Sequence, residues 1–444
     1  MIGWLLDRFA TVPAKPAMIW RDEEYSYGWL VERVAHWKAV VASRSCGPRT
    51  VVAIEGDYSP EVCALFLALA DQRAVVVPLT SAVEANKPTF YTIAEVHAIF
   101  RFDRDGGWTF VRRDTEVAHP LTRSLIDAGR PGLVVFSSGS TGQPKAVLHD
   151  LTRLLEKFRV VRHARRTITF LLLDHLGGIN TLFSVLSNLG TIVSIEARDP
   201  DSVCRAIERH RVELLPTTPT FLNLLLLSEA ARRYDLSSLT LITYGTEVMP
   251  PTTLKRLHDL FPGVVLSQTY GMSELGVLRA KSKGSESLFV KIGGEGFETK
   301  IVDNTLWIRA TSAMLGYLNA PSPFDAEGWM NTGDEVEVDG EYIRFLGRRS
   351  EVINVGGEKV YPVEIENVLM EMPNVRDVTV HGQPNPLTGQ MVVARVQLKS
   401  PEPLVEFRNR VREFCRGRLA KYKIPAKIEL VSGDQHSERF KRTR

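Results

Sequence analysis

Apolar and polar positions switch between two periods along the first 270 residues, and the switching is regular. PEVCALFLALADQ (60–72) carries apolar residues at helical spacing and runs into AVVVPL (74–79), a short apolar strand. A second helical stretch begins at Tyr25-Ser26-Tyr27 and sets Trp29, Leu30, Val34 and Trp37 in phase. Further on, TRLLEKFRVV (152–161) reads as helix, TITFLLL (167–173) as strand, INTLFSVLSNL (179–189) as helix and TIVSI (191–195) as strand. Repetition of helix then strand predicts parallel sheets with helices on their faces, an α/β architecture.

The pattern changes after about residue 285. TKIVD, TLWIRA, EVEVDG and EYIRFLG alternate with Gly, Asp and Asn turns and predict a small β-rich subdomain. A turn-rich crossing, GRRSE at 347–351, leads into a compact α+β module. In it VINVGGEKV reads as a hairpin, YPVEIENVLMEM and LVEFRNRVREFCRGRLA as helices, and VRDVTVHG, MVVARVQLK and KIELV as strands. The expected division is 1–347 and 348–444, with a pivot near Ser350.

Composition narrows the class without naming it. The 444 residues allow two or three domains, and 44% hydrophobic with 24% charged residues is an ordinary globular balance. A net charge of +3 gives no argument for nucleic acid. Cys46, Cys63, Cys204 and Cys415 are scattered, so neither a disulfide framework nor a zinc site is predicted. Asp7 and Arg8 interrupt the apolar start too early for a secretory signal, and no run approaches the roughly 18 apolar residues of a membrane span. A cytoplasmic protein is expected.

The chemistry concentrates in a few short segments. SSGSTGQPK (137–145) follows the apolar run LVVF. Gly139 and Gly142 permit unusual backbone angles, Ser137, Ser138, Ser140 and Thr141 supply hydroxyls, and Lys145 adds a charge. Such a loop suits a polyphosphate better than it suits a linker. TYGMSE (269–274) offers Tyr270 as a flat stacking face and Glu274 as a hard oxygen suited to Mg²⁺. NTGD (331–334) sets Asp334 on a tight turn, where a carboxylate matches vicinal hydroxyls. GRRS follows with Arg348, and GlyGly at 356–357 sits in the predicted hairpin.

Taken in order, these segments resemble the core motifs of the adenylate-forming superfamily: acyl- and aryl-CoA synthetases, peptide-synthetase adenylation domains and beetle luciferases. The resemblance implies a large N-terminal domain of stacked αβαβα sheets with the β-rich subdomain, and a small mobile C-terminal domain. It implies that residues 137–142 with Lys145 hold ATP phosphates. Tyr270 and the YGTEVMP turn (Gly245, Thr246) would contact adenine, with Gly271 and Ser273 in the same nucleotide-binding motif. Glu274 would bind Mg²⁺, and Asp334 and Arg348 the ribose and phosphate. Gly356 and Gly357 would approach a phosphopantetheine channel. Lys441 in the terminal FKRTR would contact the acid and the α-phosphate. Phe440 stands there where the family usually has glycine, and Thr246 replaces the second glycine of its turn.

The same resemblance assigns FLLLDHLGGINTLF (170–183) to the acid pocket. His175 matches a gating position, and Asp174 matches the aspartate that binds the α-ammonium in amino-acid-activating members. Gly177 and Gly178 would leave room, and Ile179, Phe183 and Tyr244 would line the pocket. Three readings stand: an acid:thiol ligase for an aryl or medium-to-long acyl acid using CoA or a carrier-protein phosphopantetheine, a stand-alone amino-acid adenylating enzyme serving a separate carrier protein, and a non-catalytic nucleotide binder.

Overall fold

The computed structural model of the chain describes residues 2–138, 143–432 and 435. Two seven-stranded sheets form its bulk. In the first the strand order is Val265–Gln268, Leu241–Tyr244, Leu214–Thr217, Arg166–Ile168, Thr191–Val193, Pro16–Trp20 and Glu23–Ser26, all pairs parallel except the last. In the second it is Gly316–Tyr317, Pro144–Asp150, Gly132–Ser138, Val75–Leu79, Val51–Glu55, Ala98–Phe102 and Trp108–Arg112, with parallel pairs in the middle and antiparallel ones outside.

Helix Pro60–Asp71 lies between the sheets, which explains its all-round apolarity: Pro60 and every residue from Val62 to Ala70 are buried. Ser59 caps it by accepting from the Val62 amide, and Pro60 takes the first position, where no amide hydrogen is needed. Strand parity then divides the apolar side chains. Val52 and Ile54 join the core around this helix, whereas Val51 and Ala53 face the opposite core. Helix–sheet–helix–sheet–helix layering results, as the sequence pattern predicts.

Several predicted elements are shorter than the segments that suggested them: the helix expected over 152–161 spans Leu151–Leu155 with a 3₁₀ turn at Glu156–Phe158, and the strand expected over 191–195 only Thr191–Val193. The strand expected over 167–173 spans only Arg166–Ile168, because the chain must turn before His175 caps helix Leu176–Ser187. The helix expected through residue 420 ends at Cys415, and Gly417 takes a left-handed φ of +77° just beyond.

A six-stranded antiparallel sheet follows, built on the pair Met330–Asp339 and Tyr342–Arg348. Its register sets Asp334 directly opposite Arg348. The last module packs helices Pro362–Met370 and Leu404–Cys415 on a five-stranded sheet with a core of its own. Where it meets the preceding sheet, the Tyr361 hydroxyl donates to the buried Glu335 carboxylate, and Lys359 lies 3.7 Å from the same group.

Candidate nucleotide and acid site

Two adjoining clefts of about 280 and 620 Å³ open where these units meet, and both are lined by Thr246, Thr269, Tyr270, Gly271 and Arg348. Tyr270 begins a short hairpin strand (Tyr270–Met272) that pairs with Gly276–Leu278. Its ring stacks on Phe345 at 4.8 Å, with 7° between planes, and its hydroxyl donates to Asp334 Oδ2 at 2.6 Å. Asp334 Oδ1 accepts from Arg348 Nε at 3.1 Å. Burial, and then the Asp334 charge, push the Tyr270 phenol well above its ordinary pKa, so it remains a donor. Three residues from three motifs are thus one hydrogen-bonded unit facing the cleft.

Glu274 lines the larger cleft. Its Oε1 accepts from the Tyr317 hydroxyl at 2.5 Å, and Lys145 Nζ lies 5.0 Å from the centre of the Tyr317 ring. Tyr317 arrives through pairing of Gly316–Tyr317 with the strand that carries Lys145. Sequence reasoning missed it, since a lone tyrosine in LGYLN carries no motif. It also missed His149, which is fully buried and donates from Nε2 to the Ser273 carbonyl at 2.6 Å. Burial pulls this imidazole down to about 4, so it is neutral at physiological pH and holds the turn before Glu274.

Local backbone demands account for the small residues. A Cβ on Gly245 would lie 2.6 Å from Thr269 Oγ1 and 2.7 Å from the Thr269 carbonyl. One on Gly271 would meet the Gly276 carbonyl at 2.8 Å. Thr246 holds φ at +71°, a left-handed conformation that a β-branched residue resists. Glycine would enter it freely, which is why the motif position tolerates glycine so readily.

Other expected site residues divide. Ser137, His175 and Gly177 line the larger cleft, and His175 Nδ1 accepts from the Gly177 amide at 3.3 Å. Gly178 leaves no room for an acid, because a Cβ there would lie 1.9 Å from the Leu172 carbonyl. Asp174 is buried and accepts from Thr80 Oγ1 at 2.8 Å rather than lining either cleft. Tyr244, Ile179 and Phe183 are enclosed in the cores, and Thr243 takes the lining position that Tyr244 was expected to hold. Strand alternation turns neighbours to opposite faces, so one position of error sends a side chain to the wrong side. Gly356 and Gly357 form the exposed turn of hairpin Ile353–Val360, with φ of +63° and +92°, and lie outside both clefts. Arg348, Glu351, Val363 and Glu366 line the smaller cleft instead. Gly139, Ser140, Thr141, Gly142 and Lys441 lie outside the described residues, as does the side chain of Ser138.

An adenylate-forming fold is the class these features define. The sequence profile of the AMP-binding enzymes matches residues 6–318, and that of the AMP-binding enzyme C-terminal domain matches residues 364–441. The chain belongs to the AMP-binding enzyme family. It is 28% identical to an indoleacetate–CoA ligase of Aromatoleum aromaticum, over 96% of this chain and 93% of that protein. It is 27% identical to a 2-succinylbenzoate–CoA ligase of Bacillus pumilus, over 97% and 94%. Among solved structures, the anthranilate CoA ligase AuaEII in complex with anthranoyl-AMP superposes with a TM-score of 0.80 at 20% identity, covering 97% of this chain and 93% of that one. The o-succinylbenzoate CoA synthetase of Bacillus subtilis, in complex with its acyl-adenylate, gives 0.78 at 22%, covering 99% and 96%. Among the described residues no helix is long and apolar enough to cross a membrane.

Proposed function

We propose that the protein is an AMP-forming acid:thiol ligase whose thiol is CoA. The observation that supports this most directly is the Tyr270–Asp334–Arg348 unit on the cleft wall. A stacking ring, a carboxylate and a guanidinium suit the adenine, ribose hydroxyls and phosphate of a nucleotide. The names of the relatives, all CoA ligases among those compared above, favour CoA over a carrier protein.

In the first step a carboxylate oxygen of the acid attacks the α-phosphorus of ATP. A carbon–oxygen–phosphorus link forms, and the bond to pyrophosphate breaks. Positioning and neutralisation of charge supply most of such catalysis. Residues 137–142 and Lys145 would cradle the phosphates, with Gly245 and Thr246 against adenine. Lys441 would offset charge at the α-phosphate. Mg²⁺ would supply Lewis-acid neutralisation, and Glu274 suits it, since this ion is held by one or two carboxylates together with phosphate oxygens. Tyr317 occupies one oxygen of Glu274 and leaves the other for a ligand. In the second step the thiol adds to the acyl carbonyl and AMP leaves.

The two steps call on different faces of the small module. Gly356 and Gly357 are turned outward in this arrangement, so a rotation near Ser350 would exchange them with the face that carries Glu351, Val363 and Glu366. The module boundary near 347–350, and a cytoplasmic location where ATP and CoA are abundant, belong to the same proposal. Asp174 engages Thr80, which removes the feature that favoured an amino acid as substrate.

Pyrophosphate release across a panel of acids, with and without CoA, tests the reading. CoA-dependent thioester with at least one carboxylic acid is expected; silence with every acid would sink it. Lys441→Ala should depress adenylation by at least about a hundredfold, the scale of a lost oxyanion-type contact. Thioester formation from preformed acyl-AMP should survive, and equal loss of both steps would refute the role.

A further inference from the structure

Behind the part of the larger cleft's wall formed by Asn180 and Val277 lies a cation that nothing in the proposed chemistry uses. Lys157 lies in a short helical turn, Glu156–Phe158, packed against helix Leu176–Ser187. Its ammonium donates to Asn180 Oδ1 at 2.6 Å and to the Val277 carbonyl at 2.7 Å. Asn180 and Val277 both line the cleft, and Lys157 stands directly behind them.

This contact settles which way the Asn180 amide points. An ammonium has only donors, so it must face the amide oxygen, and the amide nitrogen with its two hydrogens is left for other partners. The charge balance is equally one-sided. Among the described residues no carboxylate comes within 4 Å of Lys157, Arg162 or Arg279. Burial, with Arg162 and Arg279 adding to it, pulls the Lys157 ammonium down to about 7, so near neutral pH it holds its charge only in part until an anion comes beside it. A hydrocarbon tail against Asn180 would leave amide hydrogens unpaired beside this excess of positive charge. An anion there would satisfy both.

We infer that the acid activated by this protein carries a second carboxylate, which the Asn180 amide receives with the Lys157 charge behind it. This rests on the ligase reading and adds its substrate class, a dicarboxylic acid with one carboxylate at the nucleotide and the other at Asn180. Lys157 is a positioning residue: it fixes the amide and supplies charge through it. Pocket groups built to pair with a polar substrate group reject analogues that lack it far more strongly than apolar pockets reject a missing methylene.

The test compares matched acids by pyrophosphate release with CoA: suberate against octanoate, and 3-(4-carboxyphenyl)propanoate against 3-phenylpropanoate. The wild-type enzyme should favour at least one dicarboxylate over its partner by about tenfold or more in kcat/KM. Lys157→Met should bring that ratio to within about threefold of unity, acting on KM for the dicarboxylate more than on kcat, and Lys157→Arg should restore it. Asn180→Leu should abolish the ratio as Lys157→Met does, and provides the readout should that variant fail to fold. Preference for the monocarboxylates in the wild-type enzyme, or a ratio that survives both Lys157→Met and Asn180→Leu, overturns the inference and leaves the ligase reading standing. Silence with all four acids and with every other acid overturns the ligase reading and this inference with it.

Discussion

Two parts of the cleft walls are built on opposite principles. At the nucleotide end each strong group has a partner of complementary character: Tyr270 with Asp334, Asp334 with Arg348, Glu274 with Tyr317. Behind Asn180 and Val277, Lys157 donates to an amide oxygen and a backbone carbonyl, with two arginines near it and, among the described residues, no carboxylate within 4 Å. Paired groups form a rigid frame before any ligand arrives, as electrostatic preorganisation requires. An unpaired cation awaits its counterpart. On the proposed reading the first part serves chemistry common to the family, and the second discriminates among acids.

The comparison breaks most readily at Asp334. Replacing it with alanine leaves Arg348 and Tyr270 without their shared acceptor, a loss on the order of 3–5 kcal/mol for a partly buried charged pair. ATP-dependent pyrophosphate release should fall by about 10² to 10³-fold in kcat/KM. A fall smaller than tenfold would mean that the frame does not depend on this carboxylate.

His149 sharpens the same contrast through pH. Its folded pKa of about 4 lies below the ordinary 6.5, so between those values the unfolded chain binds more protons. Stability therefore falls as pH drops from about 6.5 to 4, by up to about 3 kcal/mol from this group alone. His149→Gln, which can still donate to the Ser273 carbonyl, should flatten that part of the profile in denaturant titrations. An unchanged acid limb would show that the imidazole carries no such penalty.

The smallest effect is expected at Thr246, which both clefts share. Relief of its left-handed φ by Thr246→Gly should stabilise the fold by about 1 kcal/mol, after the greater flexibility of glycine in the unfolded chain is offset. A loss of stability on equilibrium unfolding would contradict the strain argument. Thr246 lines both clefts, so the variant's KM for ATP reports whether its methyl and hydroxyl matter to the proposed nucleotide site.

The nucleotide end was legible in the chain because its motifs are local. Gly245 and Gly271 answer close backbone approaches, and Asp334 lies on the strand whose register brings it opposite Arg348. Such requirements fall on a few consecutive positions, and they read the same wherever the segment is placed. The α/β layering was legible for a similar reason, since a period of 2 or 3.6 is a property of the strand or helix itself.

The groups that support these motifs, and those that shape the acid pocket, were not legible. Asp174, Gly178 and Tyr244 lie in or beside the right segments, yet they turn to Thr80, to the Leu172 carbonyl and into a core. Lys157, Tyr317 and His149 belong to no motif in the sequence. Their character comes from neighbours 23 to 124 positions away: Asn180, Val277, Glu274 and Ser273. The order of elements, the turn chemistry and the family were determined by the chain alone, because short-range sterics and periodicity act within a segment. Which face each side chain shows to the cleft, and which charges are left without a counter-ion, was decided only by tertiary packing, because desolvation and pairing depend on what the rest of the molecule brings into contact.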